Sequence, residues 1–272
     1  MPLRLLIIGA HPDDADYAAG GTAALYRQAG HDVYMISLTN GDAGHHVQAG
    51  PPLATRRREE ARRSGAVIDA PYHLFDIHDG ELEPTLENRW KVIHLIRSYN
   101  PDLVLTHRPN DYHPDHRYTS QLVQDAAYML TVPAVVAGTP HLMKMPVIAY
   151  LPDEFQKPYP FSPLVAVDVG PVLGKIVDML HCHTSQFYEW LPYNVGVGAQ
   201  VPTDDKARRS WLAQQVEERL RKQAERFRSQ LVRCYGEKRG KAVEFAEACE
   251  PCEYGAPLDD VSARRLFPFV FV

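Results

Sequence analysis

Residues 3–9 (LRLLIIG) form an apolar run interrupted only by Arg4. Such a run, without polar alternation, reads as a strand buried on both faces, the kind found in a parallel sheet covered by helices on either side. Residues 14–28 follow with helical character, and Gly30 is a natural stop. The pattern then repeats: strand 32–38, helix 53–67, strand 72–76, helix 86–99, strand 102–106, and a helix from about Asp115 to Leu130. This rhythm predicts an α/β fold, a Rossmann-like three-layer sandwich around a mostly parallel sheet. Right-handed crossovers bring the carboxyl ends of the strands to one edge, where the sites of such sheets form. The loops after residues 9, 38 and 106 are therefore expected to meet there.

The second half is less regular. Strands are expected at 147–151 and 164–169 and a helix at 171–183. Residues 203–234 read as one long, heavily charged helical stretch whose apolar residues (Trp211, Leu212, Val216, Leu220, Phe227) are sparse. It reads as a surface helix with i,i+4 ion pairs, the alternatives being a lid or a subunit contact. The apolar tail, 266–272 (LFPFVFV), is expected to dock on the body. The expected organisation is a single domain: a catalytic body over 1–190, and a divergent helical extension over 191–272 packed on it. Cys249 and Cys252 form a C-x-x-C pair with no second pair nearby, and the preceding FAEAC reads as a helix end, so the pair is read as incidental.

Composition narrows the function. A net charge of −5 gives no electrostatic footprint for nucleic acid. No window of about 18 apolar residues exists for membrane insertion. No ordered basic, apolar and cleavage segments open the chain, and four cysteines are too few for a disulfide scaffold at this length, so a cytoplasmic protein with reduced thiols is expected. The 13 histidines matter more, because several cluster.

The first strand does not run into phosphate-holding glycines. It ends Ala10-His11-Pro12-Asp13-Asp14, and two carboxylates there would repel a phosphate and favour a cation. The fourth strand runs into His107-Arg108-Pro109-Asn110-Asp111-Tyr112-His113-Pro114-Asp115-His116, with Pro114 near the first helical position. Two histidines and a carboxylate are a normal ligand set for a divalent ion with open positions, and His11, Asp14 and His116 are the proposed ligands. Each stretch alone has a plainer reading, Asp13 or Asp14 as a helix cap and a histidine after a strand as structural. Their pairing at neighbouring strand ends is what points to a metal.

These two motifs, with Leu38-Thr39-Asn40-Gly41-Asp42, Arg57-Arg58-Glu59-Glu60-Ala61-Arg62 and His183-Thr184-Ser185-Gln186, resemble the PIG-L/LmbE family of zinc-dependent N-acetylglucosaminyl deacetylases. The resemblance spans roughly residues 3–187 and weakens in the C-terminal third. It implies Zn2+ on His11, Asp14 and His116, Asp13 as general base, and His113 as the group that stabilises the oxyanion or protonates the leaving amine. Asp115 is either a helix cap or the orienter of His113. Arg57 resembles a family arginine that contacts substrate hydroxyls. Asp42 and Asn110 either line the sugar pocket or make turns, and His183 resembles a family histidine that closes the pocket. His45 and His46 read as loop residues. The implied reaction is hydrolysis of the amide in a small molecule or glycan carrying N-acetylglucosamine. The chemistry agrees, since metal-bound water falls from a pKa near 15.7 to about 7. The expected partner is that substrate, with no nucleic acid and no membrane; a homo-oligomer stays open. Two rivals remain. The same ligand set suits Fe2+, in an iron-loaded form or a non-haem iron oxygenase. The other is a non-catalytic sugar- or nucleotide-binding module, against which stand the absent G-x-G-x-x-G and the presence of Asp13.

Overall fold

A computed structural model of the chain describes residues 2–271. The first strand, β1 (Arg4–Gly9), is buried along nearly its whole length. Its side chains divide between two cores: Leu5 and Ile7 join one, Leu6 and Ile8 the other. This is the physical content of a run without polar alternation, since both faces of the strand are dry. Helix α1 (Asp14–Gln28), β2 (Asp32–Ser37), α2 (Pro51–Val67), β3 (Tyr72–Leu74), α3 (Leu86–Tyr99), β4 (Leu103–Thr106), α4 (Pro114–Met129) and β5 (Val147–Tyr150) follow in the expected alternation. Strands β1 to β5 pair in parallel, in the spatial order β3-β2-β1-β4-β5. One core packs under α3 and α4; the other takes α1 and the later helices.

The chain continues through β6 (Val165–Asp168), a short 3-10 turn, α5 (Leu173–Cys182), a π-helical segment (Ser185–Trp190), α6 (Leu191–Asn194), α7 (Asp205–Arg226), α8 (Arg228–Ala242), β7 (Ala246–Pro251) and α9 (Asp260–Leu266). Three expectations change here. The stretch 203–234 is two helices, broken at Phe227, whose φ of −107° and ψ of 26° leave the helical region. Its sparse apolar residues are not a surface pattern either. Leu212, Val216, Leu220 and Ala224 recur every four residues and are buried, so α7 is docked along one narrow stripe.

The third change concerns the C-terminal segment, which is not only helical. FAEAC begins β7, hydrogen-bonded antiparallel between β5 and β6. A division at residue 190 therefore cuts through one seven-stranded sheet, and the described residues form a single α/β domain. The tail docks as expected: Phe267 and Phe269 pack edge-on against Tyr26, while Val272 lies outside the described residues.

Helix α1 also hides a break. Ala19 has φ −144° and ψ 19°, which frees the N–H groups of the next turn. Glu247 of β7 fills that gap, its carboxylate accepting from Gly21 N, Thr22 N and Thr22 Oγ1, each at 2.7 Å. The approach requires glycine, because a Cβ at Gly21 would meet Val169 Cγ1 at 2.5 Å. A strand from the end of the chain thus holds the helix that begins at Asp13 and Asp14.

Candidate metal centre and active site

The turn between β1 and α1 folds back on itself. Asp14 Oδ2 accepts the backbone N–H of Ala10 at 2.9 Å and of His11 at 2.7 Å. This commits one oxygen of Asp14 to the turn; the other, Oδ1, lies 3.5 Å from His116 Nε2. Asp13 occupies the N-cap position without capping through its side chain. At the start of α4 the cap is His113, whose Nδ1 accepts the N–H of Asp115 at 3.2 Å. That choice sets the imidazole of His116 on the first turn, stacked on His107 with centroids 4.0 Å apart.

His11 Nδ1 lies 3.1 Å from His116 Nε2 and 3.5 Å from Asp14 Oδ2. Donor atoms around a tetrahedral ion with bonds of about 2.0–2.1 Å sit roughly 3.3 Å apart, and the pairwise separations here are of that size, although Asp14 meets His11 through Oδ2 and His116 through Oδ1. Among the described residues, three sets have donor atoms within 4.8 Å of one another: His11, His113 and His116; Asp14, His107 and His116; and His11, Asp79, His113 and Asp115. On its far side His11 Nε2 meets Asp79 Oδ1 at 3.2 Å and Asp115 Oδ2 at 3.3 Å. His116 Nδ1 has Asp111 Oδ2 at 3.0 Å. Carboxylates behind both imidazoles fix the ring orientation and raise their basicity, as around metal-ligating histidines.

The electrostatics sort the cluster. Burial alone would lower the His11 pKa, but hydrogen bonds to Asp115, Asp14 and Asp79 hold it well above the ordinary value. His116 is raised in the same way, burial being outweighed by Asp14 and Asp111. Burial would raise Asp14, yet the charges on His116 and His107 hold its carboxyl well below the usual range. His107 and His113 are pushed down, by burial first and by neighbouring histidines second. The negative field that favours protons on His11 and His116 equally favours a divalent cation between them.

Asp13, Asp14, His11, His113, His116 and Arg57 line one cavity of about 890 Å³. Arg57 is 2% exposed, whereas Arg58, Arg62 and Arg63 on the same helix are exposed. Its Nη2 donates to Asp13 Oδ1 at 2.8 Å and its Nη1 to the Gly41 carbonyl at 3.3 Å, with Asp79 Oδ2 3.7 Å from Nη1. Gly41 has φ +70°, and a Cβ there would fall 2.5 Å from Arg57 Nη1. Arg57 therefore holds the carboxylate of Asp13.

Other expected residues go elsewhere. Asp115 holds His113 through its backbone N–H and not through its carboxylate, which turns to His11 and accepts the Gly80 N–H at 2.7 Å. Asp42 is kept off the cavity wall, its carboxylate bonded to His78 Nδ1 at 2.6 Å and to the N–H of Asp79 at 3.0 Å. Asn110 is also off the wall and donates to the Lys157 carbonyl at 2.9 Å. His183 is fully buried and hydrogen-bonded to the equally buried Asp16. Gln186, three residues on, lines the cavity instead, its Nε2 donating to the Gly44 carbonyl at 3.0 Å. His45 is tied to Glu189 at 2.9 Å, and His46 stacks on Tyr193. The sequence reading missed Asp79 altogether. Its signal was the strand at 72–76, whose carboxyl end meets the same sheet edge.

Residues 6–127 match the family model described as PIG-L: GlcNAc-PI de-N-acetylase. Over 196 residues the chain is 24% identical to the 4-oxalmesaconate hydratase of Pseudomonas putida, covering 69% of this chain and 76% of that protein. Over 194 residues it is 28% identical to the probable N-acetyl-alpha-D-glucosaminyl L-malate deacetylase 2 of Bacillus anthracis, covering 68% and 81%. The N,N'-diacetylchitobiose deacetylase of Pyrococcus horikoshii superposes with a TM-score of 0.69 at 22% identity, over 92% of this chain and 84% of that one. The 4-carboxy-2-hydroxymuconate hydratase of Pseudomonas putida KT2440 gives 0.70 at 18% identity, over 94% and 97%. These two likenesses, one to a deacetylase and one to a hydratase, show the fold alone, which in this chain is a seven-stranded, mostly parallel α/β sheet. By the match over residues 6–127, just under half of the chain, and by the deacetylases named among its relatives, the chain is similar to the PIG-L (LmbE-like) family.

Proposed function

We propose that the chain is a metal-dependent N-deacetylase that hydrolyses the acetamide of an N-acetylglucosamine-type substrate. The observation that carries this reading is the division of labour at the β1–α1 turn. Asp14 faces His116 and His11, while the adjacent Asp13 is bonded only to Arg57, through Oδ1, among the described residues. A divalent ion held by His11, Asp14 and His116 would supply Lewis acidity, polarising an amide carbonyl and bringing the pKa of a water near 7. Zinc is the expected ion, with iron as the alternative on the same donors.

The chain's own groups supply the proton chemistry. Asp13 keeps Oδ2 free to take a proton from the attacking water and to return it to the leaving amine. Arg57 fixes the carboxylate. Because His113 Nδ1 accepts a backbone N–H, the proton of its neutral ring is assigned to Nε2. That N–H is a preorganised donor for the negative oxygen of a tetrahedral intermediate.

The hydratase relatives favour a second reading, addition of water to a carbon–carbon double bond by the same base. A carboxylated substrate needs unpaired cations in the cavity. Arg57 is the only lysine or arginine among the lining residues, and Asp13 and Asp79 already engage it. Glu154 adds an exposed negative charge to the wall, while Asp111 is paired with His116 and Asp153 with Arg108. This balance suits a neutral polyhydroxyl substrate better. The test is to incubate metal-replete protein with N-acetylglucosaminides and follow acetate and free amine. Asp13→Ala is expected to keep its metal and lose about 10²–10⁴-fold in kcat; undiminished turnover would remove Asp13 as base. Consumption of an unsaturated dicarboxylate without acetate release from any amide would favour the hydratase.

A further inference from the structure

Tyr17 stands one helical turn beyond Asp13 and Asp14, where the catalytic cavity gives way to a second, apolar groove. The groove has a volume of about 290 Å³ and is lined chiefly by Leu191, Pro192, Val195, Trp211 and Val216. Tyr17, Phe187 and Leu191 belong to both cavities, so the two share a wall. Tyr17 is held in place although 45% exposed. It stacks on Phe187 with centroids 6.3 Å apart, and the Arg219 guanidinium lies 4.0 Å from its ring centroid. Leu191 is 38% and Val195 70% exposed. Apolar side chains gathered at one concave, water-exposed strip beside a reaction centre mark a ligand surface rather than scattered surface residues.

We infer that this groove seats an apolar aglycone of the substrate, an aryl or alkyl group on the anomeric oxygen. The inference rests on the deacetylase reading and commits the occupant through it. With the amide at His11 and His116, the acyl group is acetyl, too short to leave the main cavity. Of the two carbons that adjoin the one bearing the amide, the anomeric carbon carries the glycosidic substituent, so an aglycone lies close enough to reach the shared wall. The main cavity also carries the exposed Glu154, a carboxylate able to accept hydrogen bonds from sugar hydroxyls. The sugar thus meets a polar group and the aglycone an apolar groove.

The experiment compares methyl and phenyl 2-acetamido-2-deoxy-glucosides on the wild type and on Val195→Asp, a change at an exposed position. Burying the phenyl ring is expected to raise kcat/KM at least about tenfold over the methyl glycoside. Val195→Asp is expected to lower that phenyl-to-methyl ratio at least about fivefold. Equal kcat/KM for the two glycosides, or an undiminished ratio in the variant, would overturn the inference. Should neither glycoside release amine, the deacetylase reading fails, and the groove is read separately by tryptophan fluorescence with phenyl glucoside, which has no amide. A saturable change lost in Val195→Asp would support the groove, and no change would refute it. A concentration-dependent dimer abolished by Val195→Asp would assign the groove to a second copy of the chain and overturn the inference.

Discussion

At the scale of single residues, the site depends on groups that never touch a cation. Arg57 clamps Asp13, and Gly41 makes room for Arg57. Alanine at Gly41 would place a Cβ 2.5 Å from the guanidinium at a φ of +70° that disfavours side chains. Gly41→Ala is therefore expected to lower kcat by about tenfold or more while the metal content stays at the wild-type level, because the proposed base Asp13 is displaced and the proposed ligands are not. Kinetics alongside metal analysis check this; a variant that lost metal and kept kcat per bound ion would refute it. The ligand candidates and Asp13 were legible as residue types at a fixed spacing. Asp115, Asp42, Asn110 and His183 were not, because each offers several hydrogen-bonding choices and only packing selects one. His183, for example, faces Asp16 and not the cavity.

At the scale of elements, two contacts hold the walls of the cavity. Glu247 caps the broken turn of α1 with three hydrogen bonds. Glu247→Ala leaves Gly21 and Thr22 N–H groups buried and unpaired, so a loss of about 2–4 kcal/mol is expected in chemical denaturation. The π-helical segment is tied to α2 by Glu189, which takes Arg56 Nη1 at 2.8 Å and Nη2 at 2.6 Å. The Arg56 hydrogen bond holds the Glu189 carboxyl below its ordinary value of 4.5. A lowered folded pKa gives stability that is full above that ordinary value and is lost as pH falls through the folded one. The melting temperature of the wild type should exceed that of Glu189→Gln at neutral pH and converge with it in acid. With Glu189 a third exposed, solvent screening keeps the difference under about 1 kcal/mol. Elements were legible where hydrophobic period and cap agreed, as in α3, where Thr85 accepts the Asn88 N–H. The strand β7 was not, since AEACEP lacks the β-branched and aromatic residues that announce a strand.

At the scale of the whole molecule, the site exists only when the sheet is assembled, so binding of the proposed cation would be linked to folding. Chelation is expected to abolish acetate release and to lower the melting temperature, with both restored by added Zn2+. At a free metal concentration about 100-fold above the dissociation constant the stabilisation would be roughly 2.7 kcal/mol. Scanning calorimetry with and without chelator measures it, and indifference of both readouts would remove the metal. No helix among the described residues is long and apolar enough to cross a membrane.

The sequence by itself determined the strand–helix alternation, the sheet edge at which its loops converge, and the residues with the chemistry to hold a cation there. These follow from local rules: burial on both faces, turn chemistry and ligand type are written in consecutive residues. Tertiary structure alone decided that a late strand closes the sheet beside β5, that Arg57 secures Asp13, that Asp79 stands behind His11, and that an apolar groove adjoins the cavity. Those features join residues far apart in the chain, and their energies depend on burial and close approach, which no local pattern encodes.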